Sequence, residues 1–455
     1  MSDPKKPAKP PEHVEVYFNL DGSYLYKLSG EYVSLKLGDV RRHMRALGLS
    51  EMNFFDGQRE CDWPMFNAQI NRRVNYAGSL GGHRVGSFTD GSNRRFLVTD
   101  EAKGIWDTLP KAKQPEFFHA FILELLGEDQ AYRFCLWLAC ALRALRDKTF
   151  APAQVSIFAG VPACGKSLLQ YFITEILGGR AGNPMRYLMK ETAFNDDLAQ
   201  TEHWMVEEPQ WSTDIRTRLA VGEALKELFY SRDFSIHAKG KRAVPLPLFR
   251  RGTISLNSEP EVMQKIPPFN GSIEDKVNLF SCRMATECLK QFDDAKTGIQ
   301  DRQKLWSTFM AEVPTIRAWL LSKAFVVPKE LRDQRAGVCS YHDPELKAQL
   351  SSFSPEVQLL EMCDLLLFTP QAIHSRDKGG DKDPVHWDGK AIDLEQELRQ
   401  SKFAFRADQL LKGSGRAGTY LSRLEKQHPE RVSRRKVNGH FFWTIKPPTV
   451  EKAES

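Results

Sequence analysis

Long apolar runs are missing from this sequence of 455 residues. The longest, residues 134–145, follows Arg133 and is broken by Arg143, so it is too short and too charged to cross a bilayer. Cysteine pairs are missing too. The eight cysteines, Cys61, Cys135, Cys140, Cys164, Cys282, Cys288, Cys339 and Cys363, form no C-x-x-C, which argues against a zinc finger or a disulfide framework and for a reducing compartment, read here as cytoplasm. Neither sign of charge dominates: 64 Lys plus Arg against 58 Asp plus Glu leave a net +6, a surplus that permits a polyanionic partner without demanding one. Residues 1–13 are rich in Lys and Pro and lack the apolar stretch of a secretory leader, and a short disordered tail is expected there. No internal repeat is visible.

What is present reads as globular. The composition, 41% hydrophobic, 11% aromatic and 27% charged, excludes a collagen-like, largely disordered or membrane-embedded chain, and the length suggests about two to four domains. Over 14–115, short apolar runs alternate with Asp21-Gly22 and Ser29-Gly30 turns and with a helix that Asp39 is expected to cap and that carries Val40, Met44 and Leu47, the pattern of a small α+β domain. Residues 116–150 have helical periodicity and read as a linker or collar. Over 151–330, short buried strands alternate with helices, which predicts a mostly parallel sheet with helices on its faces. Helices are expected over 299–325 and 355–367. A charged loop is expected over 375–388, within a helical region spanning 331–401, and a last compact domain over 402–446.

The strongest chemical signal follows the apolar strand 155–159. That strand runs into Gly160, Val161, Pro162, Ala163, Cys164, Gly165, Lys166 and Ser167, then into Leu168 and an apolar helix ending near 177. This is G-x-x-x-x-G-K-[ST] between a strand and a helix. The glycines let consecutive backbone N–H groups curl round an anion, and the helix start adds partial positive charge. Lys166 is then placed to reach the β- and γ-phosphates of ATP, and Ser167 to hold Mg²⁺. Cys164 is read as an incidental small residue.

An NTPase of this kind needs a second strand ending in acids, one to orient the metal's water shell and one to activate the attacking water. Residues 203–206, ending at Glu207 and Glu208, supply it, although two exposed loop glutamates would read the same way. A third strand, 251–256, ends at Asn257, either an amide for the γ-phosphate or the attacking water, or a plain turn residue. Between them, residues 232–244 alternate polar and apolar types around Lys239, Gly240 and Lys241, with His237 and Arg242 beside the tip. That is a solvated surface hairpin or one that presents positive charge to DNA phosphates.

In these four elements the chain resembles the superfamily 3 helicase core of viral, phage and plasmid replication proteins, with the loop as motif A, Glu207 and Glu208 as motif B, residues 226–241 as the B′ region and Asn257 as motif C. More narrowly, it is similar to the phage-type helicase portion of primase–helicase proteins in Leu177-Gly178-Gly179-Arg180, Thr192-Ala193-Phe194-Asn195, Leu256-Asn257-Ser258-Glu259-Pro260-Glu261 and Asp275-Lys276. The resemblance is specific over 151–285, looser over 14–150 and absent at the C-terminus. It implies a P-loop, AAA+-like core and assembly into a ring, usually a hexamer. It also implies ATP with Mg²⁺ held by Ser167 and Glu207, and 3′-to-5′ movement on single-stranded DNA in a bacterial host cell, with a separate primase or polymerase as a further partner. Motif B is Glu-Glu where many relatives begin with Asp, so the roles of Glu207 and Glu208 stay open. Lys276 stands where an arginine often follows the aspartate, leaving the trans-acting finger open among Lys226, Lys276, Arg283, Arg250 and Arg251. No primase motif is visible.

Residues 405–411 and 415–426 read as helices, and 431–437 pairs through Asn438-Gly439 with 440–445, the order of a winged helix. Arg416 and Arg423 on the second helix, with Arg434, Arg435 and Lys436 on the hairpin, are expected to grip duplex DNA unless the module docks a protein instead. The whole reading is an ATP-dependent DNA helicase or translocase from a phage or mobile-element replication system, with no membrane partner. The alternative is a nucleotide-switched initiator or loader that binds duplex without unwinding it.

Overall fold

The computed structural model describes residues 14–231, 234–239, 243–246, 248–269, 272–294, 297–369, 386–412 and 415–448. The expected tail over 1–13, most of the expected loop over 375–388, and Gly240, Lys241 and Arg242 lie outside them. Over the described residues the chain forms two compact units, one drawn from Met1–Gln210, Ala224–Asn257 and Asp275–Tyr341, the other from Trp211–Glu223, Ser258–Glu274 and His342–Ser455. Among the described residues no helix is long and apolar enough to cross a membrane.

The first unit opens with β1 (Val16–Asn19), β2 (Tyr24–Leu28) and β3 (Glu31–Leu35), an antiparallel meander. Ser29 and Gly30 both have positive φ, the backbone that a two-residue turn between twisted strands requires. Helix α1 (Leu37–Ala46) places Asp39 in its first turn, with Lys36 rather than Asp39 at the cap position; the carboxylate still complements the helix start. A small hairpin, β4 (Phe54–Phe55) with β5 (Gln58–Arg59), and α2 (Trp63–Asn71) follow. Next come β6 (Arg73–Val74), parallel to β1, and a second sheet of β7 (Tyr76–Gly78), β8 (Gly86–Thr89) and β9 (Arg95–Val98). Val16, Tyr24, Val40, Met44 and Met65 share one apolar cluster here.

Helices α3 (Glu116–Leu126) and α4 (Glu128–Arg146) lead into the central sheet. Its strands are β10 (Val155–Gly160), β11 (Ala181–Gly182), β12 (His203–Glu207), β15 (Arg251–Asn257) and β16 (Val277–Cys282), in the order β11-β12-β15-β10-β16, every pairing parallel. Every residue of β10 is buried, as expected of a parallel strand covered on both faces. Helix α5 (Lys166–Ile176) returns from β10, with the short helices α6 (Met185–Leu188) and α7 (Asp196–Ala199) on either side of the segment before β12. Helix α8 (Ile215–Tyr230) precedes the hairpin β13 (Phe234–Ile236) with β14 (Val244–Leu246). The short helices α9 (Pro260–Met263) and α10 (Glu287–Lys290) flank β16 in sequence. Helix α11 (Arg302–Leu320) is shorter at both ends than the expected 299–325, because Asp301 caps its start and Ser322 begins a separate turn. Phe309 on α11 stacks on Phe172 of α5 at 3.8 Å, inside one large apolar cluster that also holds Phe118, Phe121, Phe158 and Phe280.

The second unit contains α12 (Pro344–Ser352), α13 (Pro355–Leu367), β17 (Trp387–Gly389), α14 (Ala391–Arg399), α15 (Ala404–Leu410), α16 (Arg416–Gln427), β18 (Val432–Val437) and β19 (His440–Ile445). β19 lies between β17 and β18, antiparallel to both. Residues 387 and 388, expected in a loop, therefore belong to a strand, and the apolar cluster runs from Leu359 to Ile445 across the expected boundary at 402. A three-residue strand is too short to show a period in sequence, and only the burial of Trp387 fixes it.

Candidate functional site

The loop between β10 and α5 sits at the C-terminal end of the sheet. There the strand order places β10 between β15 and β16, the kind of crevice in which open α/β sheets bind ligands. Gly160 is required by close approach: a Cβ there would lie 2.4 Å from the Cys282 carbonyl oxygen and 3.1 Å from Cys164 Sγ. Gly165 has φ +114° and Ala163 φ +59°, so the chain turns twice through left-handed geometry before α5 begins. No side chain caps that helix start, which leaves first-turn N–H groups for an anion.

Lys166 is buried and its Nζ donates to the carbonyls of Gly160 at 2.9 Å and Val161 at 2.7 Å, and to Asn257 Oδ1 at 3.3 Å. Cys164 Sγ lies 3.6 Å from the same ammonium. Parallel pairing puts Asn257 opposite Gly160, and Glu207 opposite Ser255 on the same strand. Glu207 and Glu208 are exposed at the end of β12. Glu208 has φ +46° and donates its backbone N–H to the Ser255 carbonyl at 3.0 Å. The structure thus brings Lys166, Asn257 and the two glutamates to one end of three adjacent strands, with Val161, Pro162, Ser167 and Leu168 along the loop and first helical turn.

Sequence reasoning missed the supports of this arrangement. Tyr171 on α5 stands beside Glu207, and partial burial together with that carboxylate raises its phenol pKa. Deeper down, His203 is fully buried and bridges Thr174 Oγ1 at 2.7 Å and Thr253 Oγ1 at 2.8 Å. Gln170 Nε2 donates to Thr253 Oγ1 at 2.8 Å and to the Val206 carbonyl at 3.3 Å. This polar ladder ties α5 to β12 and β15, and burial pulls the His203 pKa down to about 3. At the far end of α5, Arg317 donates to the carbonyls of Glu175 and Ile176, satisfying acceptors at the helix terminus.

The hairpin is held by the segment before α7. Asn195, 2% exposed, accepts from the His237 N–H at 2.7 Å, donates from Nδ2 to the Ser235 carbonyl at 2.9 Å and from its backbone to the His237 carbonyl at 3.1 Å. Phe194 packs edge-on to the His237 ring at 5.2 Å. His237 is therefore half-buried at the root of the hairpin, and Lys239 is exposed beyond it.

The fold so described has a counterpart among solved structures. The apo structure of the NrS-1 C-terminal region matches with a TM-score of 0.57 at 14% identity, covering 96% of this chain and 97% of that one. Its A form gives 0.55 at the same identity and coverage. The chain has the fold of the NrS-1 C-terminal region. A structure titled SCCmec type IV Cch, active helicase, aligns at 10% identity over 95% of this chain and 93% of its own, with a TM-score of 0.44, too low to bear on this chain. No family model and no curated protein matches the sequence.

Within this NrS-1-like fold the expected finger residues separate by burial. Arg250 and Arg251 are interior, 5% and 2% exposed. Arg250 lies over the Phe234 ring and Arg251 over Phe249, so burial argues against both as finger residues. Lys226 is half-buried on α8, and Lys276 pairs with Asp275 at 2.7 Å over the Tyr230 ring. Arg283 is exposed directly after β16, beside the phosphate loop, where the N–H of Ala285 reaches the Cys164 carbonyl at 3.3 Å. In the second unit Arg423, its side chain 38% exposed, pairs at 3.3 Å with Glu356, a carboxylate 2% exposed. Arg434 pairs with Glu425 at 3.0 Å and Arg435 with Asp388. Arg416 and Lys436 are exposed, with no acid within ion-pair distance among the described residues.

Proposed function

We propose that the chain is an ATP-dependent DNA helicase or translocase of a phage or mobile-element replication system, working as a ring together with a separate primase or polymerase. The observation that carries this reading is the convergence of Lys166, Asn257, Glu207 and Glu208 at the C-terminal ends of three adjacent parallel strands. The strand order, with the loop strand second from one edge, is read as the AAA+-related core of superfamily 3. The N-terminal sheets are read as a small α+β domain, and the helix, helix and hairpin of residues 402–446 as a winged-helix module for duplex.

The loop fits a nucleotide. The close approach at Gly160, the left-handed turns and the uncapped start of α5 leave backbone N–H groups for phosphates. Residues 160–168 would hold the triphosphate, and Ser167 with Glu207 the Mg²⁺, which supplies charge neutralisation for phosphoryl transfer when bound. Lys166 would exchange its carbonyl and Asn257 contacts for phosphate oxygens. Glu208 would take a proton from water and Asn257 would orient that water. Lys239 would meet the DNA backbone at the hairpin tip, with Arg283, Lys226 or Lys276 reaching the neighbouring protomer's nucleotide.

The test is ATP hydrolysis measured with and without single-stranded DNA. Hydrolysis stimulated by the single strand is expected. Hydrolysis that responds to duplex alone would favour the initiator or loader reading.

A further inference from the structure

The second unit holds a cavity of about 360 Å³ whose wall carries three cations, Arg218, Arg406 and Lys412, together with Ser212, Thr213 and Gln358. Arg218 is the demanding one. It projects from α8 and is 4% exposed. Its Nε donates to the Ile266 carbonyl at 2.9 Å and its Nη1 to the Phe353 carbonyl at 3.4 Å, while Nη2 is buried with no acceptor. Among the described residues no carboxylate stands within ion-pair distance of it, and burial alone pulls its pKa down to about 10. Arg180, mostly buried in the first unit, is instead answered by Glu202.

A buried guanidinium is expensive unless it is paired and its donors are all met. The other groups on the wall do not meet this one. Asp214 spends Oδ2 on the backbone N–H groups of Arg216 at 3.0 Å and Thr217 at 3.2 Å, capping α8. Arg406 is held by Glu361 at 2.8 Å on the exposed side, and Lys412 is exposed. The cavity therefore combines an unanswered buried donor, two further cations and hydroxyl donors. Its size lies within the range of small-ligand sites. Arginine's planar fork matches two oxygens of a tetrahedral oxyanion.

We propose that this cavity binds a phosphate group, delivered either as free phosphate or as the phosphate of a nucleic-acid strand end. The guanidinium of Arg218 forms the buried end of the cavity, with Lys412 and Arg406 at its exposed side. The site is separate from the loop at Lys166, which belongs to the other unit, and it stands whether or not that loop hydrolyses ATP.

The test is calorimetric titration of the full chain with inorganic phosphate and with 5′-phosphorylated and unphosphorylated single strands. The proteins compared are Lys166→Ala alone and Lys166→Ala combined with Arg218→Met or with Arg406→Ala and Lys412→Ala. Phosphate binding is expected to persist in Lys166→Ala and to weaken at least about tenfold in either combination, the size of one lost charge-assisted hydrogen bond. The double change at the exposed mouth decides the matter if Arg218→Met does not fold. A preference for the 5′-phosphorylated strand that disappears with the cavity cations identifies a strand end as the source, and a response to inorganic phosphate alone identifies free phosphate. Absence of any phosphate-dependent binding in Lys166→Ala, or binding unchanged by both sets of cavity changes, overturns the proposal.

Discussion

Glu208 occupies left-handed backbone geometry that disfavours a side chain, and its carboxylate stands exposed just past the strand that carries Glu207. Strain of this sort persists where the surroundings over-determine it, here through the N–H bond to Ser255. If Glu208 is the base, Glu208→Gln should bind ATP normally and lower kcat by about 10²-fold or more, because an amide can orient water and cannot take its proton. Glu207→Gln should instead weaken Mg²⁺ dependence, and the reverse pattern would exchange the two roles. His203 makes a separate claim about stability. Its folded pKa, about 3, lies below the ordinary value of 6.5, so between these values the unfolded chain binds the extra proton. The stabilisation is complete above about pH 6.5 and is lost as pH falls towards 3, with a slope of up to about 1.4 kcal/mol per pH unit. Urea midpoints measured between about pH 7 and pH 5 should fall more steeply for the wild type than for His203→Gln; parallel curves would show that His203 does not set the acid limb.

At the scale of elements, the hairpin β13–β14 depends on a clamp outside itself. Asn195→Ala removes two partly buried side-chain hydrogen bonds to the backbone of Ser235 and His237, a loss of about 1–3 kcal/mol of local stability. ATP hydrolysis should survive while strand displacement falls, and equal loss of both would mean that Asn195 supports the whole domain. The β18 strand allows a test of its own. Lys436→Ala and Arg416→Ala should each flatten the salt dependence of duplex affinity by up to about one unit of log–log slope. Arg423→Ala should lower the melting temperature by leaving Glu356 unpaired and should leave the slope alone. These elements also show what the sequence could and could not tell. The loop, the acidic strand end and Asn257 were legible because each is a local pattern of a few residues. The Asn195 clamp and the His203 ladder were not, since their partners lie tens of residues away and a lone Asn or His reads alike in any context. Arg250 and Arg251 misled for the converse reason: a basic pair at a strand start looks the same exposed or buried, and only packing against Phe234 and Phe249 separates the cases.

At the scale of the whole molecule, the parallel sheet followed from the alternation of short buried strands with helices, and the strand order that puts β10 beside both β15 and β16 did not. Order is set by which helix covers which face, information spread over the core that joins α3, α4, α5 and α11. In the second unit α13, α15, α16, β18 and β19 were legible, and β17 was not, because it carries too few residues to announce itself. The central claim is that one chain couples the phosphate loop to movement along DNA. The direct measurement is displacement of the complementary strand from a tailed duplex, with ATP and Mg²⁺, by the wild type and by Lys166→Ala at equal DNA occupancy. The account predicts ATP-dependent displacement by the wild type and none by Lys166→Ala. Displacement that proceeds without ATP, or equally in both proteins, would contradict it.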